Sequence, residues 1–232
     1  MTDAAGARQA SSARVPPAAV IFDHDGLTLD TEQAWTRAEH TLFARHGARF
    51  TDDHKRDLLG SSSAVAAAKL ERILERPGGG IELMDELHEI VMEEVLNGAP
   101  PMPGARELVA ELRALGVPVG LASNSPRVFV ERALGVAGML GAFDVTVAGD
   151  EVPAPKPAPD AYLAAARALG AEPGDCVALE DSNTGVAAAR AAGMSVIGVP
   201  SVPGVELAQA HVVARSLSDP VVREALGLRA AA

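Results

Sequence analysis

Two hydrophobic rhythms alternate along the chain. Five short apolar runs, Ala18 to Phe22, Val117 to Ala122, Phe143 to Ala148, Cys176 to Leu179 and Val196 to Val199, lie close to Gly, Pro or Asp punctuation. They are too short for helices of their own and rich in Val, Ile, Leu or Phe, so they read as strands covered on both faces. Between them the apolar spacing becomes helical, over Gly104 to Leu115, Ser125 to Leu134, Ala161 to Leu169 and Ser182 to Ala192, and each segment is followed by a glycine stop. Ser125 and Pro126 form an N-cap and first-turn pair. Strands alternating with helices predict an α/β fold with a Rossmann-like parallel sheet and right-handed crossovers.

Residues 31–98 break that alternation. They carry helical periods and no strand signal. Asp30 with Gln33 resembles a capping box opening a helix through Trp35, Ala38 and Leu42; a second helix covers 64–76; a third presents Met84, Leu87, Val91 and Val95 on one face. The predicted organisation is a loose tail at 1–14, an α/β core over 15–30 and 99–232, and an all-helical insert at 31–98.

Composition narrows the function classes. The 232 residues are 48% hydrophobic and 22% charged, a soluble globular balance, and no run approaches the roughly 18 apolar residues of a membrane span. The formal net charge is −11 with no basic stripe, which argues against nucleic acid and anionic membrane as partners. Residues 1–14 lack the apolar core of a signal peptide. The single cysteine, Cys176, excludes an internal disulfide and fits a reducing cytoplasm. Only three lysines occur, Lys55, Lys69 and Lys156, so a lysine in an unusual setting carries information.

Four segments hold candidate chemistry. Asp23-His24-Asp25-Gly26 places two carboxylates at i and i+2 directly after a strand, where ligands of open α/β sheets bind. Glu180-Asp181-Ser182 repeats the arrangement at another strand end. Acids gathered this way repel unless a cation or shared proton intervenes, which points to a hard ion such as Mg²⁺. The simpler alternatives are a turn for the first and a helix N-cap for the second. Lys156 stands among Pro153, Pro155, Pro157 and Pro159, a preset backbone suited to a positioned cation or to a rigid solvated loop. Ser123-Asn124-Ser125-Pro126 offers hydroxyl and amide groups beside a helix N-terminus.

Together, and in this order, the four segments resemble the haloacid dehalogenase-like phosphohydrolases, in the branch of β-phosphoglucomutase-like enzymes and sugar-phosphate phosphatases whose helical cap is inserted after the first motif. The resemblance spans about residues 18 to 200 and rests on Asp23-x-Asp25-Gly26 through Asp30-Thr31-Glu32, then Ser123, Lys156-Pro157 and Glu180-Asp181. It implies a catalytic set of Asp23 as nucleophile, Asp25 as acid and base, Ser123 and Lys156. Asn124 would bind a phosphoryl oxygen through its backbone N–H. Mg²⁺ would be held by Asp23, Asp25 and Asp181, with Glu180 in or just outside its shell. The implied partner is a small phosphorylated molecule, and the enzyme is taken as a monomer.

Substrate choice in such enzymes lies in the cap, where Gly60, Ser61 and Trp35 are the expected contacts. Trp35 stands where the mutases of the branch carry a histidine, and the serines after Gly60 replace their phosphate-gripping arginine, so hydrolysis is favoured over mutase action. Other chemistries fit less well. A dehalogenase has no need of Asp25 or Mg²⁺; a phosphonate hydrolase needs a cap lysine in a pattern that Lys55 and Lys69 do not match. A phospho-acceptor signalling module is about half this length. His88-Glu89 starts a zinc-protease motif whose second histidine position is Met92. His24 is expected to point away from the flanking acids if the strand continues.

Overall fold

The computed structural model describes residues 16–58, 61–202 and 204–228. Six parallel strands form one sheet: β1 (Ala19–Asp23), β2 (Val119–Ala122), β3 (Val145–Val147), β4 (Cys176–Glu180), β5 (Ser195–Gly198) and β6 (Val212–Val213). Their spatial order is β3-β2-β1-β4-β5-β6, with β1 at the centre. Four helices follow β1 and end before residue 98: α1 (Glu32–Arg45), α2 (Asp52–Leu58), α3 (Ser63–Ile73) and α4 (Gly80–Leu96). The crossovers and the C-terminal segment contribute α5 (Ala105–Ala114), α6 (Arg127–Val136), α7 (Asp160–Ala168), α8 (Asn183–Ala191) and α9 (Pro220–Ala225).

The pleat of β1 divides the core. Val20 and Phe22 enter one apolar cluster with α5, α6 and the helices α1 to α4. Ala19 and Ile21 point the other way, into a second cluster with α7 and α8. Period-two alternation thus buries both faces, which is why the strand reads as an unbroken apolar run. The register pairs Asp23 with Ala122 on one side and Phe22 with Leu179 on the other. The carboxyl ends of β1, β2 and β4 are thereby level, and the loops leaving these three strands meet at one edge of the sheet.

Several local expectations need correction. Ser125 does not cap α6: the N-cap residue is Pro126, without a side-chain cap bond, and the Ser125 hydroxyl is used elsewhere. The Asp30 capping box is also absent, since the N-cap of α1 is Thr31 and Gln33 donates to the Asp30 carboxylate at 2.7 Å. The helix expected at 64–76 is α3, which ends at Ile73. Two helices and a strand have no counterpart in the hydrophobic pattern. In α2, with sequence DDHKRDL, only Leu58 is buried, so no apolar stripe announces the helix. Strand β6 is two residues long. Helix α9 does carry a signal, Asp219 before Pro220, and the Asp219 side chain accepts from Val221 N–H at 3.3 Å. The tail at 1–14 and Gly60 lie outside the described residues.

Candidate active site

β1 delivers Asp23, and the backbone turns immediately after it. Gly26 has φ +80, and a Cβ there would fall 2.3 Å from Asp181 Oδ2. A glycine is therefore required twice over, for the left-handed turn and for the approach of the second acidic strand end. The turn is tied by Thr28 Oγ1 donating to the Asp23 carbonyl at 2.5 Å and by Gly26 N–H donating to the Leu29 carbonyl at 2.9 Å.

Asp25 comes back over the sheet edge. Its Oδ1 accepts from Thr31 Oγ1 at 2.7 Å; its Oδ2 accepts from Ser125 Oγ at 2.7 Å and from Ser123 Oγ at 3.3 Å. Burial opposes ionisation here, yet the adjacent His24 and the Ser125 and Thr31 hydroxyls hold the carboxyl well below the usual carboxylate range. The His24 ring corrects the expectation from alternation. The strand ends at Asp23, and His24 Nδ1 lies 3.2 Å from Asp25 Oδ2, within ion-pair range. Neither ring nitrogen makes a hydrogen bond, and the ring packs edge-on against Phe129.

Lys156 reaches the site from the proline-rich loop. Asn124 Oδ1 accepts from its backbone N–H at 2.8 Å, so the Asn124 side chain fixes this loop. The ammonium is almost fully buried and donates to Asp23 Oδ1 at 2.5 Å, Glu180 Oε1 at 2.6 Å and the Ala122 carbonyl at 3.0 Å. Burial alone would depress it, but Asp23 and Glu180 raise its pKa. Tyr162 completes the cage: its hydroxyl donates to Glu180 Oε1 at 2.7 Å, and its ring lies 4.8 Å from the ammonium.

At the end of β4, Glu180 is fully buried and its other oxygen accepts from Asp181 N–H at 3.1 Å and Ser182 Oγ at 3.2 Å. Asp181 Oδ2 accepts from Ser201 Oγ at 2.6 Å. Ser182 caps α8, accepting from Gly185 N–H at 3.0 Å. Asp23, Glu180 and Asp181 each offer a carboxylate oxygen within 4.8 Å of the others. Burial first, and then the charge of Glu180, push Asp23 and Asp181 well above the ordinary carboxylate range. Three buried acids against one lysine leave an excess of negative charge that a hard, oxygen-seeking cation fits.

These groups face a cavity of about 140 Å³, on the scale of a small organic molecule. Asp23, Asp25, Asn124, Lys156 and Asp181 line its floor, with Trp35 and Ser61 among the residues from the helical segment. Ser123 and Glu180 are buried beneath, holding the lining residues. Sequence reasoning missed Tyr162 and Ser201, which carry no motif, the bond from Thr31 to Asp25, although Thr31 stands in the first motif, and the pair Glu39 and Lys55, which the scarcity of lysine could have flagged.

Comparison with known proteins bears on the same residues. Residues 17–193 match the family model described as haloacid dehalogenase-like hydrolase. The chain belongs to the haloacid dehalogenase-like hydrolases. Hexitol phosphatase B of Escherichia coli O157:H7 is 32% identical over 220 residues, 90% of this chain and 96% of that protein. The bifunctional riboflavin kinase/FMN phosphatase of Arabidopsis thaliana is 32% identical over 211 residues, and this chain spans 54% of its length. A solved structure of a CbbY variant from Rhodobacter sphaeroides, in complex with xylulose-(1,5)bisphosphate, superposes with TM-score 0.75 and 28% identity over 87% of this chain and 95% of that one. The phosphatases among these relatives support phosphoric monoester hydrolysis by a haloacid dehalogenase-like enzyme. No described helix is long and apolar enough to cross a membrane.

Proposed function

We propose that the chain is a Mg²⁺-dependent phosphatase acting on a small sugar or polyol phosphate through an aspartyl-phosphate on Asp23, with α1 to α4 acting as its cap. The observation that carries this reading is the Lys156 ammonium bridging Asp23 and Glu180, with Asp181 alongside, on the floor of a small cavity.

An Asp23 carboxylate oxygen attacks phosphorus, and the bond to the leaving oxygen breaks. Asp25, as the acid, gives that oxygen its proton. Asp25 then takes a proton from the water that attacks the acyl phosphate, releasing inorganic phosphate and restoring Asp23. The hydroxyls around Asp25 favour the carboxylate, the form needed for the second step, and an incoming phosphate dianion raises its proton affinity for the first. Lys156 balances charge on the nucleophile and the transferred group, and Ser123 and the Asn124 backbone N–H are assigned to the phosphoryl oxygens. Asp23 and Asp181, with the Asp25 carbonyl and with Glu180 adjoining, would hold Mg²⁺, which supplies Lewis-acid stabilisation of the phosphoryl charge.

Hydrolysis is preferred to mutase action because Trp35, packed against Phe129 at 5.6 Å between ring centroids, has no group to pass a proton to a leaving oxygen. The test is phosphate release from a panel of sugar and polyol phosphates, with Mg²⁺ and with EDTA. Release that needs Mg²⁺ and vanishes in Asp23→Asn supports the reading. Activity indifferent to EDTA, or interconversion of hexose phosphates primed by a bisphosphate, overturns it.

A further inference from the structure

The wall of the cavity formed by α1 and α2 holds an ion cluster that the proposed chemistry does not use. Lys55 Nζ, from α2, lies 3.0 Å from Glu32 Oε2 and 3.1 Å from Glu39 Oε2, both on α1. All three residues line the cavity. Glu39 is only 5% exposed, an unusual place for a carboxylate. Glu32 Oε2 is buried and, although beside the ammonium, makes no hydrogen bond, so acceptor capacity remains there. The neighbouring wall is apolar, formed by Leu58, Ala66, Met84 and Leu87.

We infer that Glu32, Glu39 and Lys55 determine specificity: they select a neutral, hydroxyl-rich leaving group and reject a second phosphate. This rests on the phosphatase reading and deepens it. Among the described residues lining the cavity, the lysines are Lys55 and Lys156, and each is held by two carboxylates. A second phosphate reaching this wall would therefore meet a cluster of net charge −1 once both acids are ionised, and no free ammonium. Hydroxyl groups instead find carboxylate acceptors in a partly dry setting, where such bonds are strong and an unmatched partner is costly. The CbbY variant bound to xylulose-(1,5)bisphosphate shares this fold; the charge arrangement here sets the present chain's preference on the monophosphate side.

The test compares kcat/KM for a hexitol 6-phosphate and for hexose 1,6-bisphosphate. The wild type should favour the monophosphate by at least about tenfold. Glu39→Gln relieves Lys55 of one acid and should raise the bisphosphate-to-monophosphate ratio about tenfold. Lys55→Gln leaves two unbalanced acids and should lower that ratio. Opposite signs are the signature, because loss of folding would depress both substrates alike in both variants. Ratios that move together, or a wild type preferring the bisphosphate, overturn the inference. Mg²⁺-dependent hydrolysis by the wild type of acetyl phosphate, which has neither a second phosphate nor a polyol chain, tests the underlying phosphatase chemistry separately.

Discussion

Lys156→Met separates the structural from the chemical role of the buried ammonium. The substitution keeps chain length and removes the cation that donates to Asp23 and Glu180 at 2.5 and 2.6 Å. Asp23, Glu180 and Asp181 would then share one buried site without a cation. Removing one partner of a buried ion pair costs about 3–5 kcal/mol, and for a chain of this size that lowers Tm by roughly 10 °C. The pH dependence has a definite sign. Asp23 and Asp181 already bind protons more tightly in the fold than ordinary carboxylates do. A raised carboxyl pKa means that stability falls as pH rises from the ordinary value towards the raised one. Without lysine the affinity rises further and that window widens, so the deficit of the variant should grow from pH 5 to pH 8. Urea denaturation in EDTA at both pH values reads this directly. A variant within about 1 kcal/mol of wild type at pH 8, or a deficit independent of pH, would refute the idea that this lysine balances the buried acids.

Other outcomes stem from close contacts and from the buried acid on α1. Gly185→Ala places a Cβ 1.8 Å from Glu180 Oε1; although alanine normally gains about 0.5–1 kcal/mol over glycine in a helix, thermal melts should show a net loss. Gly26→Ala forces both the left-handed turn and the Asp181 approach, so metal affinity, measured by calorimetry with Mg²⁺, should fall at least tenfold. Glu39 is pushed from 4.5 up to about 7, by burial above all, equivalent to about 3 kcal/mol of preference for its protonated form. Stability should consequently fall through pH 4.5 to 7, and Glu39→Gln should gain on wild type by about that amount between pH 5 and pH 8 in urea titrations. Equal pH dependence of the two proteins would contradict this.

The parts of the site legible in sequence are those where one strand hands directly into chemistry. Apolar β1 ending in Asp23 and the turn at Gly26 announce both a buried strand and an active edge. Lys156 is legible through its prolines. The supporting groups are not, for physical reasons. Ser125 looks like a cap in sequence because Ser-Pro usually is one, yet Asp25 competes for its hydroxyl across a separation of 100 residues. Tyr162 sits on α7 as an ordinary apolar helix position, and only the packing of α7 against β1, β2 and β3 brings its hydroxyl to Glu180. Helix α2 shows one buried residue, so its role in presenting Lys55 comes from tertiary contacts with α1 and not from any local period.

The central claim is that Asp23 becomes covalently phosphorylated. Rapid quench of the enzyme with a phosphomonoester and Mg²⁺, then borohydride reduction and peptide mass spectrometry, should find position 23 converted to homoserine. That conversion should be absent in EDTA. Robust turnover with no reducible acyl phosphate at Asp23, or with the label on another residue, would contradict the account.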